Sequence, residues 1–135
     1  MSSKVRDAMV AEPTTLEATA SAQAAGERLA QPDVRAVLVC DGGRLVGVIT
    51  RKTLVREVVA RGLDPTSTLL ADIAEPPIFT LDAETELDEA FRLLEERDLE
   101  RVPVVEGGRL VGVLSRAVVQ RRMAEDAPSE GEAGP

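Results

Sequence analysis

Hydroxyl and cationic side chains concentrate in one short stretch, Thr50-Arg51-Lys52-Thr53, with Arg56 close behind and Arg35 upstream. Hydroxyls exchange single hydrogen bonds and guanidinium or ammonium groups hold anions, so this chemistry suits binding. The catalytic alternatives are poorly supplied. Histidine is absent, which removes imidazole ligands, the usual general base and the usual near-neutral pH switch. Carboxylates such as Glu95, Glu96 and Asp98 fall on a polar helix face or its exit, where solvation is their ordinary role. No nucleophile with its base and no metal-ligand cluster can be named, so neither an enzyme nor a metal is expected. Cys40 is the single cysteine, lies in the apolar run from Ala36, and reads as a buried hydrophobe; no intrachain disulfide can form. For Arg51 and Arg56 the plain alternative is a solvated helix surface. Exposed cations in a first helical turn oppose the macrodipole at a cost of only about a few tenths of a kcal/mol.

Charge is spread unevenly. Residues 1–65 carry 9 basic and 8 acidic side chains, residues 66–135 carry 7 and 16, and the net charge is -8. An acidic surface argues against nucleic-acid partners, and an anionic ligand would prefer the first half. No window approaches the roughly 18 apolar residues of a membrane span, and the N-terminal residues show no apolar signal core. No membrane partner and a cytoplasmic location are expected.

The elements that carry these residues are duplicated. Gly42-Gly43-Arg44-Leu45-Val46-Gly47-Val48 returns as Gly107-Gly108-Arg109-Leu110-Val111-Gly112-Val113. The same ungapped shift pairs Asp7 with Asp72, Leu29 with Leu94, Val37 with Val102, Val39 with Val104, Arg51 with Arg116 and Arg56 with Arg121. Tandem repeats commonly fold as a pair because one unit cannot bury its apolar face alone. At 135 residues, with aromatics only 1% of the chain, the two copies are expected to share a core of Val, Leu, Ile and Ala.

Val5 to Met9 reads as a short lead-in helix matching Leu70 to Ala74, stopped in the first copy by Pro13. Thr14 to Glu17 and Ile78 to Asp82 read as short extended segments. Leu87, Ala90, Phe91 and Leu94 form an apolar stripe at helical spacing, with Thr85 and Asp88 resembling a capping box. Its first-repeat counterpart is Ala22, Ala25, Gly26 and Leu29, whose small side chains suit a close helix contact. Next come hairpins turning at Asp41-Gly42-Gly43 and at Gly107-Gly108, where glycine permits the positive φ of a tight turn. Neither GxGxxG nor GxxxxGK[ST] is present to make them phosphate loops. A last helix follows each hairpin, with Leu54, Val55, Val58 and Val59 on one face and an end at Gly62, and from about Arg116 to Met123 in the second copy. The expected fold is thus α/β in the α+β sense: two tandem β-α-β-β-α repeats in a pseudo-twofold module, small sheets packed together and helices outside. Its boundaries are repeat 1 at 5–62, a linker at 63–69, repeat 2 at 70–123, and a disordered acidic tail at 124–135.

That order, with Arg101-Val102-Pro103-Val104-Val105 leading through Gly107-Gly108-Arg109 into Leu110-Val111-Gly112-Val113-Leu114-Ser115, resembles the cystathionine β-synthase (CBS) domain, two of which make a Bateman module. The spacer Gly62-Leu63-Asp64-Pro65 is similar to that of small stand-alone bacterial CBS-pair proteins. The resemblance implies a regulatory, signal-transducing module that binds AMP, ADP, ATP or S-adenosylmethionine in a cleft between repeats. It also implies a homodimer joined through helices, acting on a partner protein. The alternative is a ligand-free dimerisation or scaffold module.

In the family a Thr or Ser ends the third strand and an Asp three residues later meets the ribose. Thr50 and Ser115 match the hydroxyl position, whereas Thr53 and Val118 stand in place of the Asp. Thr53 can make one hydrogen bond to a ribose and Val118 none, so the working site is expected in the first repeat. The resemblance places ligand-binding residues at Thr14, Arg35, Val37, Thr50, Arg51, Lys52 and Thr53. It extends them to Ile78, Phe79, Arg101, Ser115 and Arg116, with Phe79 as core or as an adenine platform.

Overall fold

The computed structural model describes residues 3–11 and 15–126. Pro13, Thr14 and most of the expected acidic tail, 127–135, lie outside the described residues. In chain order the elements are α1 (Val5–Ala8), β1 (Val10–Ala11), β2 (Thr15–Glu17), α2 (Ala22–Leu29), β3 (Val37–Asp41), β4 (Arg44–Ile49) and α3 (Arg51–Leu54). A π-helical turn, Val55–Val59, continues α3 and is followed by α4 (Leu70–Ile73), β5 (Leu81–Asp82), α5 (Leu87–Glu96), β6 (Arg101–Glu106), β7 (Arg109–Ser115) and α6 (Arg116–Asp126). This is the expected repeat order. None of the described helices is long and apolar enough to cross a membrane.

Among the described residues, contacts group the chain into two compact units: 15–78 with 107–110, and 3–11 with 79–106 and 111–126. In the first, β2 lies parallel to β3 (Thr15 opposite Leu38) and β3 antiparallel to β4 (Val37 opposite Ile49). Alternation along β3 puts Val37 and Val39 inward, where they meet Ile49 and the α2 stripe Ala22, Ala25 and Leu29. The Ser21 hydroxyl caps α2 by accepting from the Ala24 amide at 3.2 Å. The second unit repeats the plan, with Val102 and Val104 of β6 packed with Leu114 and the stripe Leu87, Ala90 and Leu94. Buried valines and leucines of this kind each contribute about 1.5–3 kcal/mol, so the absence of Trp and Tyr is offset by number.

The lead-in helices belong to the opposite units from their sequence repeats. In the second unit, Val5 and Arg6 of α1 donate their amides to Thr85 O (2.9 Å) and Ala83 O (3.0 Å). In the first, Leu70 and Ala71 of α4 donate to Ala20 O and Ala18 O, both at 2.9 Å, the same two bonds 65 residues along. Val5 and Leu70 are each fully buried by this docking. Backbone donors at a helix start need acceptors, and the loop before α2 or α5 supplies them in either copy.

Four local expectations change. Extended pairing near 78–82 is confined to Leu81 and Asp82, which lie parallel to Val104 and Val105 of β6, while Ile78 stands 88% exposed with no partner strand among the described residues. Thr85 is not the cap of α5: Glu86 occupies that position without a side-chain cap, and the Thr85 carbonyl serves α1. The helix after Thr50 widens, with Ala60 N donating to Val55 O and Leu63 N to Val58 O; the extra residue in each hydrogen-bonded loop breaks the 3.6-residue stripe, so Val58 is buried while Val55 and Val59 are exposed. Finally, α6 runs on to Asp126, three residues past the expected end.

Both hairpin turns place two glycines at positive φ, Gly42 and Gly43 at 59° and 89° and Gly107 and Gly108 at 61° and 80°. Gly47 is needed for a different reason. A Cβ there would stand 2.6 Å from the Ala74 Cβ, because the chain at Ala74-Glu75 runs close along β4, where Glu75 bridges to Val48.

Candidate functional site

The first-repeat half-site is assembled where β4 ends. Val37 opposite Ile49 sets the register that brings Arg35, just before β3, to the same end of the hairpin as Thr50, Arg51 and Lys52. Thr50 is the N-cap of α3 and forms a reciprocal capping pair with Thr53: Thr53 N donates to Thr50 Oγ1 at 3.3 Å and Thr50 N to Thr53 Oγ1 at 3.1 Å. Thr53 is 1% exposed, and its hydroxyl donates to Glu75 Oε1 at 2.9 Å. Glu75 is fixed from its backbone by a two-way bridge to Val48, with N–O separations of 3.0 and 2.8 Å, and Arg56 donates to the same Oε1.

This settles the direction of the hydroxyl protons. Hydrogen bonds from Thr53 and then from Arg56 hold the Glu75 carboxyl below the usual carboxylate range, so it is ionised and accepts only. Thr53 gives its one proton to Glu75. The 3.0 Å contact between Thr50 Oγ1 and Thr53 Oγ1 is therefore donated by Thr50. Arg56 is tied to Glu57 and Glu75, whereas Arg51 uses a donor on the Gln31 carbonyl at 2.9 Å, which leaves its charge uncompensated. Arg35 and Lys52 make no ion pair among the described residues.

The second-repeat half-site has the same backbone and different chemistry. Ser115 Oγ accepts from Val118 N at 3.4 Å, but Val118 has no hydroxyl to continue the chain. The residue bridging onto β7 is Val10, opposite Val113, where the other unit has Glu75 opposite Val48. Arg116 is flanked by Asp98 at 3.6 Å and Glu100, and only 23% of its side chain is exposed. Glu100 occupies the position that Arg35 has in the first copy and Ala117 that of Lys52. One half-site is hydroxylic and cationic; the other is apolar with an internally neutralised arginine.

The remaining expected residues divide. Val37 is 3% exposed, with its side chain in the core of its unit. Ile78 is open to solvent, and Arg101 is exposed at the start of β6. Phe79 is partly buried against the core of its unit with the Arg97 guanidinium 4.5 Å from its ring centre, covering one face of the ring. Thr14 lies outside the described residues. Cys40 is buried as expected, and burial, then the charge of Glu17, push its thiol up. Glu75 was missed by the sequence reading. The signal was present: across the 65-residue shift, Thr53 becomes Val118 and Glu75 becomes Val10, both losing their polar groups.

A family model described as CBS domain matches residues 5–60 and again 70–125. Hypoxic response protein 1 of Mycobacterium tuberculosis is 32% identical over 123 residues, covering 90% of this chain and 86% of that protein. A crystal structure of Hypoxic Response Protein I with two coordinated zinc ions aligns with a TM-score of 0.74 at 30% identity, over 89% of this chain and 98% of that one. The crystal structure of CBSX2 in complex with AMP aligns with a TM-score of 0.71 at 26% identity, over 91% and 97%. Zinc is coordinated in the first of these structures and AMP is bound in the second. Among the described residues here, no group of three or more His, Cys, Asp or Glu is placed to hold a metal ion.

Proposed function

The chain belongs to the CBS-domain family as a tandem pair, and from that premise we propose that it is a regulatory module whose first-repeat half-site binds an adenosine compound. AMP, ADP, ATP and S-adenosylmethionine are the ligand class, and the reading is a binding module without turnover. The observation that carries it is the set of uncompensated cations Arg35, Arg51 and Lys52 beside the ordered Thr50 hydroxyl. An anion gains most from cations not already paired, and Arg116 in the other repeat is already paired. The complex of CBSX2 with AMP supports the same ligand class. Calorimetric titration with the four compounds tests it: saturable heat with one of them is expected, and no heat or thermal shift at millimolar concentration overturns it.

A second reading, dimerisation through helices, has its own support. An open apolar groove of about 450 Å³ runs between α2 and the widened helix, lined by Gly26, Leu54, Val58, Val59, Leu63 and Pro65 among others. Gly26 leaves ordinary space, its nearest neighbour for an added Cβ being Leu54 Cδ1 at 3.8 Å. Gly26→Phe, which installs its counterpart Phe91, is expected to fill the groove and weaken a homodimer in sedimentation; an unchanged profile counts against this contact.

A further inference from the structure

The Glu75 carboxylate is half-exposed, and the protein uses only one of its oxygens. Oε1 accepts from Thr53 and Arg56, while Oε2 has no partner among the described residues. Three restraints fix it in place: the backbone bridge to Val48, the buried Thr53 hydroxyl and the Arg56 guanidinium. A carboxylate ordered in this way, with a free oxygen, is an acceptor prepared for a donor from outside. The hydroxyl relay adds to this polarity. Thr50 spends its proton on Thr53 and can offer a ligand only a lone pair, so Thr50 and Glu75 together present acceptors. Lys52, close enough to act on Glu75 through space, and Arg35 and Arg51, at the same end of the hairpin as Thr50, supply positive charge. A ligand that satisfies both has neighbouring hydroxyl donors and an anionic group a few bonds away, which describes a phosphorylated ribose.

We propose that Glu75 is the specificity-determining residue of the first-repeat half-site, its Oε2 accepting from the ribose hydroxyls of the nucleotide. This rests on the adenosine reading above and adds a residue to it, one whose place the other half-site gives to Val10, just as it gives that of Thr53 to Val118. A phosphate oxygen would be repelled by the same carboxylate, so the sugar faces Glu75 and the phosphate faces the cations.

The test is titration of AMP and 2′,3′-dideoxy-AMP into the wild-type chain, Glu75→Gln and Glu75→Asp, with melting curves as a folding check. The wild-type chain is expected to prefer AMP by roughly tenfold, the scale of hydrogen bonds to a charged group. Glu75→Gln should lose most of that preference by weakening AMP alone, and Glu75→Asp should retain part of it. A Glu75→Gln chain that weakens both compounds equally, or keeps the wild-type ratio, assigns Glu75 a structural role and overturns the inference while leaving nucleotide binding intact. No AMP binding by the wild-type chain overturns the ligand reading and the inference with it.

Discussion

The two half-sites share a backbone and differ in how their charges and protons are disposed. At the first, Thr50 donates to Thr53, Thr53 to Glu75, and Arg35, Arg51 and Lys52 make no ion pair among the described residues. At the second, Ser115 keeps its proton, valines stand at 118 and 10, and Glu100 with Asp98 neutralises Arg116. The substitutions are linked: where a hydroxyl was exchanged for a methyl group, the carboxylate it served was exchanged too. A buried hydroxyl facing valine, or a carboxylate facing no donor, would each lose a hydrogen bond, so the pair changes together. Duplication preserved the scaffold in both copies and left a polar site in one.

The largest expected effects test the scaffold that the copies share. Leu70→Ala should cost about 2–5 kcal/mol in urea unfolding, since the side chain is fully buried, and Val5→Ala should also destabilise. Unchanged midpoints for both would mean that the lead-in helices are not part of the cores. Next, Gly47→Ala should cost about 1–3 kcal/mol by overpacking against Ala74 and the Glu75 carbonyl. Gly112→Ala meets the flexible Met9 Sδ at 2.6 Å and the rigid Val10 carbonyl at 2.8 Å, so it too should destabilise, with part of the strain relieved by Met9. Thermal melts of the two variants separate these outcomes.

Smaller effects test the difference between the copies. The Glu75 carboxyl is held low by Thr53 and then Arg56, and Glu84 in the other unit by Lys4 and then Arg6. A carboxyl whose folded pKa is depressed stabilises the fold above its unfolded value of about 4.3, and that contribution is lost as pH falls through the folded pKa. Acid unfolding should therefore begin below about pH 4, and Glu75→Gln and Glu84→Gln should each flatten the pH dependence. A pH profile identical to wild type in either variant would remove that carboxyl from the account. Both pairs are half-exposed, so added salt should narrow these differences.

The repeat, its element order and most of the core were legible because the alternation at Val37 and Val39 and the stripes at Ala22 and Leu87 report burial directly. The docking of α1 and α4 was not, since Ala18 and Ala83 offer the same carbonyl and periodicity cannot say which copy is used. The π-helical turn was hidden for a related reason: a 3.6-residue stripe through Val55 and Val59 presumes the hydrogen-bond pattern that the chain abandons there. Thr50, Thr53 and the cations were legible as a contiguous cluster. Glu75 was not, because a contact 22 residues away leaves no local pattern, and only the paired change to Val118 and Val10 marks it.

The central claim, that the first-repeat half-site holds the ligand, is tested most directly by exchanging the charges that distinguish the copies and titrating AMP. Arg35→Glu with Lys52→Ala gives the first copy the residues of the second, and Glu100→Arg with Ala117→Lys does the reverse; all four side chains are exposed. The first pair of substitutions should weaken AMP binding by at least about tenfold, or about 1.4 kcal/mol, and the second should not weaken it. Undiminished affinity in the Arg35→Glu, Lys52→Ala chain, or loss confined to the Glu100→Arg, Ala117→Lys chain, would contradict it.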